Sequence, residues 1–268
     1  MAGARTDTKR TRIWAKPNLG LRLPGSGTEA LQSYLKSFAQ INEFLHFVLG
    51  MVSHIERTAK KMRELKVVLE KVVPPEESVS ETEWRGPLED LKKHRQLFLE
   101  ILLVRHVENY LNFLSSLLRV VFLSRPEVLR SAEKIDLETV FRHASIDDLV
   151  KTVAERKVES LSYSSFSDLA AYFDEKFHIE LVRSDDLSTV VEAIETRNIS
   201  VHNRCVVNQR FVTRTGLSEA KIGKTRSLGI EDVERIAVVL TRSALAVDKA
   251  ARKSLSVRGV RFGAAAAP

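Results

Sequence analysis

Apolar residues recur every three or four positions from residue 29 to 73 (Leu31, Leu35, Phe38, Ile41, Leu45, Val48, Val52, Ile55). That is the period of a helix with one buried face. Pro74, Pro75 and Pro87 interrupt it within "VVPPEESVSETEWRGP", because proline removes a backbone donor and crowds the preceding turn. The pattern resumes from about Leu88 to Ser124 through "LFLEILLVRHVENYLNFLSSLLRVVFL". Shorter helical pieces follow at "RPEVLR", "IDLETVFRH" and "SIDDLVKTVAERKVESL", each opening near a Pro, Asp or Ser suited to a helix start. "SYSSFSDLAAYFDEKF" is opened by Ser165 or Ser167, and the next helix is capped by Asp185 or Asp186. "VVNQRFVTRTGLSEAKIGKTRSLG" reads as irregular chain or a short hairpin, and "IEDVERIAVVLTRSALAVDKAARKSL" as a closing helix. Strand-type alternation is scarce. The predicted class is all-α, a multi-helix bundle with two long N-terminal helices and little or no strand.

The ends lack this patterning. Residues 1–27 hold six basic residues against Asp7 and include the breakers of "KPNLGLRLPGSG", so they are expected to form a flexible basic arm, with Thr28 as the first helix cap. Residues 28–256 are expected to be one helical domain and 257–268, ending in "GAAAAP", a disordered tail. The 268 residues suffice for a real core. The net charge of +7 comes largely from the two ends, so it says little about the folded surface. A local exception is 197–226, with seven Lys and Arg against Glu219 alone.

Cys205 is the only cysteine, which excludes an internal disulfide and fits a reducing compartment. The longest clearly apolar stretch, "FLHFVLGMV", is far too short for a membrane span, and no secretory signal opens the chain. A cytoplasmic protein without membrane contact is expected, with an organelle transit peptide as the minor alternative for the Arg- and Thr-rich start. The seven histidines show no ligand spacing, so no metal and no cofactor are expected. His46 reads as a core residue and "RHVEN" (Arg105, His106, Glu108) as a solvated face. No phosphate-cradling Gly loop or Gly-flanked Ser is present.

"TRNISVHNRC" is the densest chemistry in the chain. On a helix, Leu187, Val190, Ile194 and Val201 fall within about 60° of one another and define an expected buried stripe. Arg197 falls inside that stripe, and a guanidinium stays charged, so it needs a partner, a cleft or another subunit. A carboxylate such as Glu192 or Glu195 would make it an ordinary structural pair. Asn198 and His202 lie four apart and are neighbours, whereas His202 stands about 140° around the helix from Arg197. Cys205 beside His202 could suggest a thiol nucleophile, but the spacing at a helix end is loose.

The stretch "EAIETRNISVHNRCVVNQRF", after a long helical region, resembles the signature of the HEPN superfamily. Its hallmark is Arg, a polar residue directly after it, four to six residues, then His; Arg197, Asn198 and His202 match. Asn203, Val207, Asn208 and Phe211 also fit the continuation seen in standalone prokaryotic members, with Cys205 where those carry Gly. "SIDDLVKTVAERKVESLSYSSFSDLAAYF" adds to the likeness, which covers roughly residues 90–250. The resemblance implies a metal-independent endoribonuclease acting as a homodimer, with the two motif helices facing each other. His202 would be general acid or base, Arg197 would stabilise phosphate charge, and Asn198 would orient the His. Asn203, Arg204, Asn208, Arg210 and Arg214 would hold RNA. Toxin or antiviral-defence roles, with an antitoxin or regulatory partner protein, come with that reading. The competing class is an inactive HEPN-like module that binds nucleotide, RNA or protein.

Overall fold

In the computed structural model the described residues are 23–70, 86–130 and 135–262. They form an all-α bundle. Helix α1 runs Glu29–Glu70, α2 Pro87–Lys93, α3 Arg95–Ser124, α4 Leu137–Phe141, α5 Ile146–Tyr163, α6 Phe166–Phe177, α7 Ser184–Asn203, α8 Gln209–Thr215 and α9 Ile230–Ser254. A 3₁₀ turn, Pro126–Leu129, follows α3. Two-residue strands β1 (Ser26–Gly27) and β2 (Val260–Arg261) pair antiparallel.

Helix α3 is the centre. Leu99, Leu103, Val107, Tyr110, Leu114, Leu117, Val121 and Phe122 are buried along it, and it packs against α1, α5, α7 and α9. Polar atoms inside this core find partners, as burial requires: Tyr110 Oη lies 2.6 Å from Ser243 Oγ, which donates to the Leu181 carbonyl at 2.6 Å, and Tyr34 Oη lies 2.9 Å from Thr241 Oγ1. Burial of the two phenols raises their pKa values.

The two expected long helices are present, with two differences. The second is broken at His94: Pro87 opens α2, whose Leu88 N–H donates to Glu56 Oε1 of α1 at 3.0 Å, and the chain then restarts as α3 into the core. The first outruns the bundle, and beyond Leu49 none of its described side chains is fully buried. His46 is therefore only half-buried, beside exposed Phe47 and Met51, and is not a core residue. Residues 71–73 of the expected first helix lie outside the described residues.

Helix starts follow local chemistry. Ser145 Oγ accepts from Asp148 N, and Ser165 forms a reciprocal capping box with Asp168. Helix α7 departs from expectation: it begins at Ser184, ahead of Asp185 and Asp186, which sit in its first turn and favour its positive dipole end without capping it.

Thr28 caps α1 through its Oγ1, which accepts from Leu31 N at 3.1 Å. It also joins the chain ends: Thr28 N and Oγ1 both donate to Asp248 Oδ1 of α9, at 3.0 and 2.5 Å. With β1 pairing β2 and Val257 buried, residues 23–27 and 257–262 are attached to the bundle, so the inner parts of the expected arm and tail are ordered extensions of it. Residues 1–22 and 263–268 lie outside the described residues. Among the described residues no helix is long and apolar enough to cross a membrane.

Candidate functional site

The motif occupies the C-terminal half of α7, whose burial differs from the stripe expected for it. Val190 and Ile194 are buried, but Leu187 and Val201 are 44% and 50% exposed. Ala193, Glu195, Thr196 and Ile199 are buried instead. The reason is that the chain folds back over the far side of this half-helix. Ile199 packs in a small cluster with Val207, Phe211 and Val212 of the following segment.

That return is a tight structure. Arg204 and Cys205 both adopt positive φ (49° and 60°), and the Cys205 N–H donates to the Ile199 carbonyl at 2.9 Å, closing the helix. Cys205 thus stands in a left-handed position that favours glycine. Beyond it, Val207 N donates to Lys224 O at 3.0 Å and Arg226 N to Cys205 O at 2.8 Å, with a single bridge at Val206–Thr225. The segment expected to be irregular chain or a short hairpin is instead mainly helix α8 and a 3₁₀ turn, Glu219–Lys221, with its two ends joined by this one bridge. Gln96 pins it to α3, donating to Arg226 O at 3.0 Å and accepting from Leu228 N at 3.0 Å. The Cys205 thiol is buried, with Ser200 Oγ 3.4 Å away and a 3.4 Å bond to the Arg226 carbonyl. Burial pushes its pKa up, the opposite of what a nucleophile needs.

Three carboxylates from α3 and α7 organise the arginines. Arg197, 26% exposed, donates from Nη2 to Glu108 Oε1 at 3.3 Å and from Nη1 to Asn198 Oδ1 at 3.2 Å. Its Nε is buried with no hydrogen-bond partner among the described residues. Glu108 also takes Arg105 at 3.3 Å. The Glu195 side chain, only 6% exposed, accepts from Arg214 Nη1 at 2.6 Å and from Asn198 Nδ2 at 3.4 Å, with Arg210 Nε 4.0 Å away. Glu192 takes Arg226 at 2.6 Å. A continuous chain therefore runs Arg214–Glu195–Asn198–Arg197–Glu108–Arg105. It fixes both side groups of Asn198 and two donors of Arg197.

The partner of Arg197 is thus neither Glu192 nor Glu195 but Glu108, thirteen positions into α3 and within a stretch read as solvated. That reading also fails for His106, which is buried against Phe38 with ring centroids 5.6 Å apart. Burial lowers its pKa to about 4. The signal available in the sequence was that Glu108 is one of only two acids on α3, the other being Glu100, while α7 carries an Arg on its apolar stripe. Nothing in spacing paired the two.

His202 is exposed on the last turn of α7, and its ring makes no hydrogen bond among the described residues. The other expected contacts divide. Asn203 Nδ2 donates to Val206 O at 2.6 Å, and Asn208 Oδ1 caps α8 by accepting from Phe211 N at 2.9 Å, so the two amides hold the turn and the start of α8. Arg210 and Arg214 face Glu195. Of the basic window, Arg204, Lys221 and Lys224 have no ion pair among the described residues. The local charge is lower than the linear count because Glu108, Glu192 and Glu195 come from outside the window. Among the described residues no three His, Cys, Asp or Glu side chains group so as to hold a metal ion. No family model, curated protein or solved structure matches the chain.

Proposed function

We propose that the chain is a HEPN-like endoribonuclease that cleaves RNA without a metal, using Arg197 and His202 from two copies of itself. The observation that carries this reading is the contrast at the motif. Arg197 is braced by Glu108 and Asn198 and keeps an unsatisfied donor, while His202 is exposed and unengaged by described residues. Five residues apart, the two side chains are separated by about 7.5 Å of rise and about 140° of rotation. One phosphate is reached more readily by an Arg from one protomer and a His from the other. Leu187 and Val201, exposed on the face that carries Arg197, offer apolar area for such a contact.

In that arrangement His202 takes a proton from a 2′-hydroxyl or gives one to the leaving 5′-oxygen, two facing histidines serving both roles. Arg197 stabilises charge on the phosphate. Asn198, held by Glu195, sets the guanidinium's orientation. Arg204, Lys221 and Lys224 attract the RNA backbone. Products are a 2′,3′-cyclic phosphate and a 5′-hydroxyl. A role in toxin or antiviral systems, under an antitoxin or regulatory protein, and action in the cytoplasm belong to the same proposal.

One observation favours the non-catalytic alternative: the Glu108 carboxylate already neutralises Arg197. Purified protein separates the two. Cleavage should persist in chelator, fail on 2′-O-methylated RNA, and be abolished by Arg197→Ala or His202→Ala with folding retained. Binding of RNA or nucleotide without any cleavage would assign the module reading instead.

A further inference from the structure

Helix α1 carries a second apolar face that no described residue covers. Leu31, Leu35, Phe38 and Leu49 are buried on the bundle side of this helix, and α2 is held through Glu56 on that same side. Nearly opposite, at 100° per residue, stand Phe44, Phe47, Met51, Ile55, Met62 and Leu65, all within about 80° of one another. Each is between 38% and 62% exposed. This face is not the core stripe running past the end of its neighbours, because Phe44 and Phe47 are exposed within two turns of buried Leu49. At its middle Gly50 leaves a hollow bordered by Phe47, Met51 and His54, into which a side chain from a facing helix can insert.

Area, symmetry and charge together name the occupant. Six large side chains of about 200 Å² each, half exposed, offer roughly 600 Å². Two such faces together bury about 1,200 Å², the lower bound of specific protein interfaces. The stripe also reads nearly the same in both directions. Laid antiparallel on a second copy, with a two-fold axis beside Ile55, it sets Phe44 against Leu65, Phe47 against Met62 and Met51 against Thr58, and brings the two Ile55 side chains together. A self-complementary contact of this kind is what a two-fold axis requires. Residues 43–56 carry Glu43 and Glu56 and no Lys or Arg, whereas residues 57–65 carry Arg57, Lys60, Lys61 and Arg63 against Glu64 alone. The antiparallel arrangement lays the acidic half of one helix along the basic half of the other. A parallel one would stack the two basic halves, so charge selects the direction.

We infer that residues 44–65 of α1 form an antiparallel, two-fold contact with the same segment of a second chain, separate from the motif. The inference does not rest on the ribonuclease reading. Sedimentation equilibrium of the full chain at micromolar concentration tests it, with Phe47→Glu and Met51→Glu combined in one variant. That variant should have about half the parent's mass or less, whether or not the motif also pairs, and should keep the parent's helical circular dichroism because both side chains are exposed in the single chain. Geometry is read independently with a short bis-maleimide. Ile55→Cys, at the axis, should link two chains efficiently, and Ser53→Cys, exposed on the other side of α1, should not. The parent supplies the background, since Cys205 is buried. A mass that the double variant leaves unchanged overturns the inference and gives the face to a different occupant. Linking of Ile55→Cys no better than of Ser53→Cys overturns it too. So does a mass change without linking at Ile55, which would mean that the copies meet elsewhere on the helix.

Discussion

Replacing Glu195 by Ala strips the motif of the carboxylate that joins Arg214 to Asn198. The side chain is 6% exposed, so the carboxylate depends on its partners for solvation. Breaking a fully buried pair costs about 3–5 kcal/mol because a charge is left stranded. Here the stranded group is Arg214, 35% exposed, which can turn to water. The loss should therefore fall to about 1–3 kcal/mol, the cost of an unsatisfied hydrogen-bonding group plus a small cavity. For a chain of this size that is a fall in Tm of roughly 3–10 °C. Glu195→Gln keeps the volume and an acceptor and should lose about half as much. Thermal melts by circular dichroism measure both, and RNA cleavage by the Gln variant reports whether Asn198 still holds Arg197. A Tm for Glu195→Ala within a degree of the parent would refute the claim that this carboxylate organises the motif.

Three further outcomes follow from the geometry. Asn208→Ala removes the α8 cap and should cost about 1 kcal/mol in a denaturant melt, while RNA affinity changes little because the amide oxygen faces Phe211 N. His106 titrates near 4 in the folded protein and near 6.5 when unfolded, so the unfolded state gains its proton first; stability present above pH 6.5 should decline as pH falls toward 4, by up to about 3 kcal/mol, and His106→Leu should flatten that slope in melts across the range. Cys205, with its thiol buried and its pKa raised, should react with a disulfide reagent only at the rate of unfolding, and fast labelling of the folded protein would contradict the turn described.

Much of the fold was legible because burial follows helical period where a helix has one core face. Helix α3 and the closing helix α9 read that way, and serine caps at 145 and 165 mark their helices through hydrogen bonds made within four residues. Helix α7 was not legible in the same way. Its burial is decided by residues that come later: Phe211 and Val212 cover Ile199 and leave Val201 in solvent. The site divides similarly. Arg197, Asn198 and His202 stand out locally, as an Arg on an apolar face beside two polar groups. Glu108 does not, because a carboxylate on α3 meets α7 only after the bundle forms. The half-exposed course of α1 past Leu49 also escapes a periodicity argument, since an apolar stripe shows what a helix could bury and not how far its neighbours extend.

The central claim is a site shared between two copies, and mixing variants tests it most directly. Arg197→Ala and His202→Ala proteins, each inactive alone, are refolded together so that mixed dimers form, and 2′,3′-cyclic phosphate ends are measured on a single-stranded RNA. A shared site leaves one intact Arg–His pair in each mixed dimer. With half of the dimers mixed, one site of two restored and one of the two facing histidines left, measurable activity of at most about a quarter of the parental level should return by random pairing. Activity that stays at the level of the separate variants, while the parent cuts, would contradict the shared site. A parent dimer that cuts no RNA would contradict the catalytic reading itself.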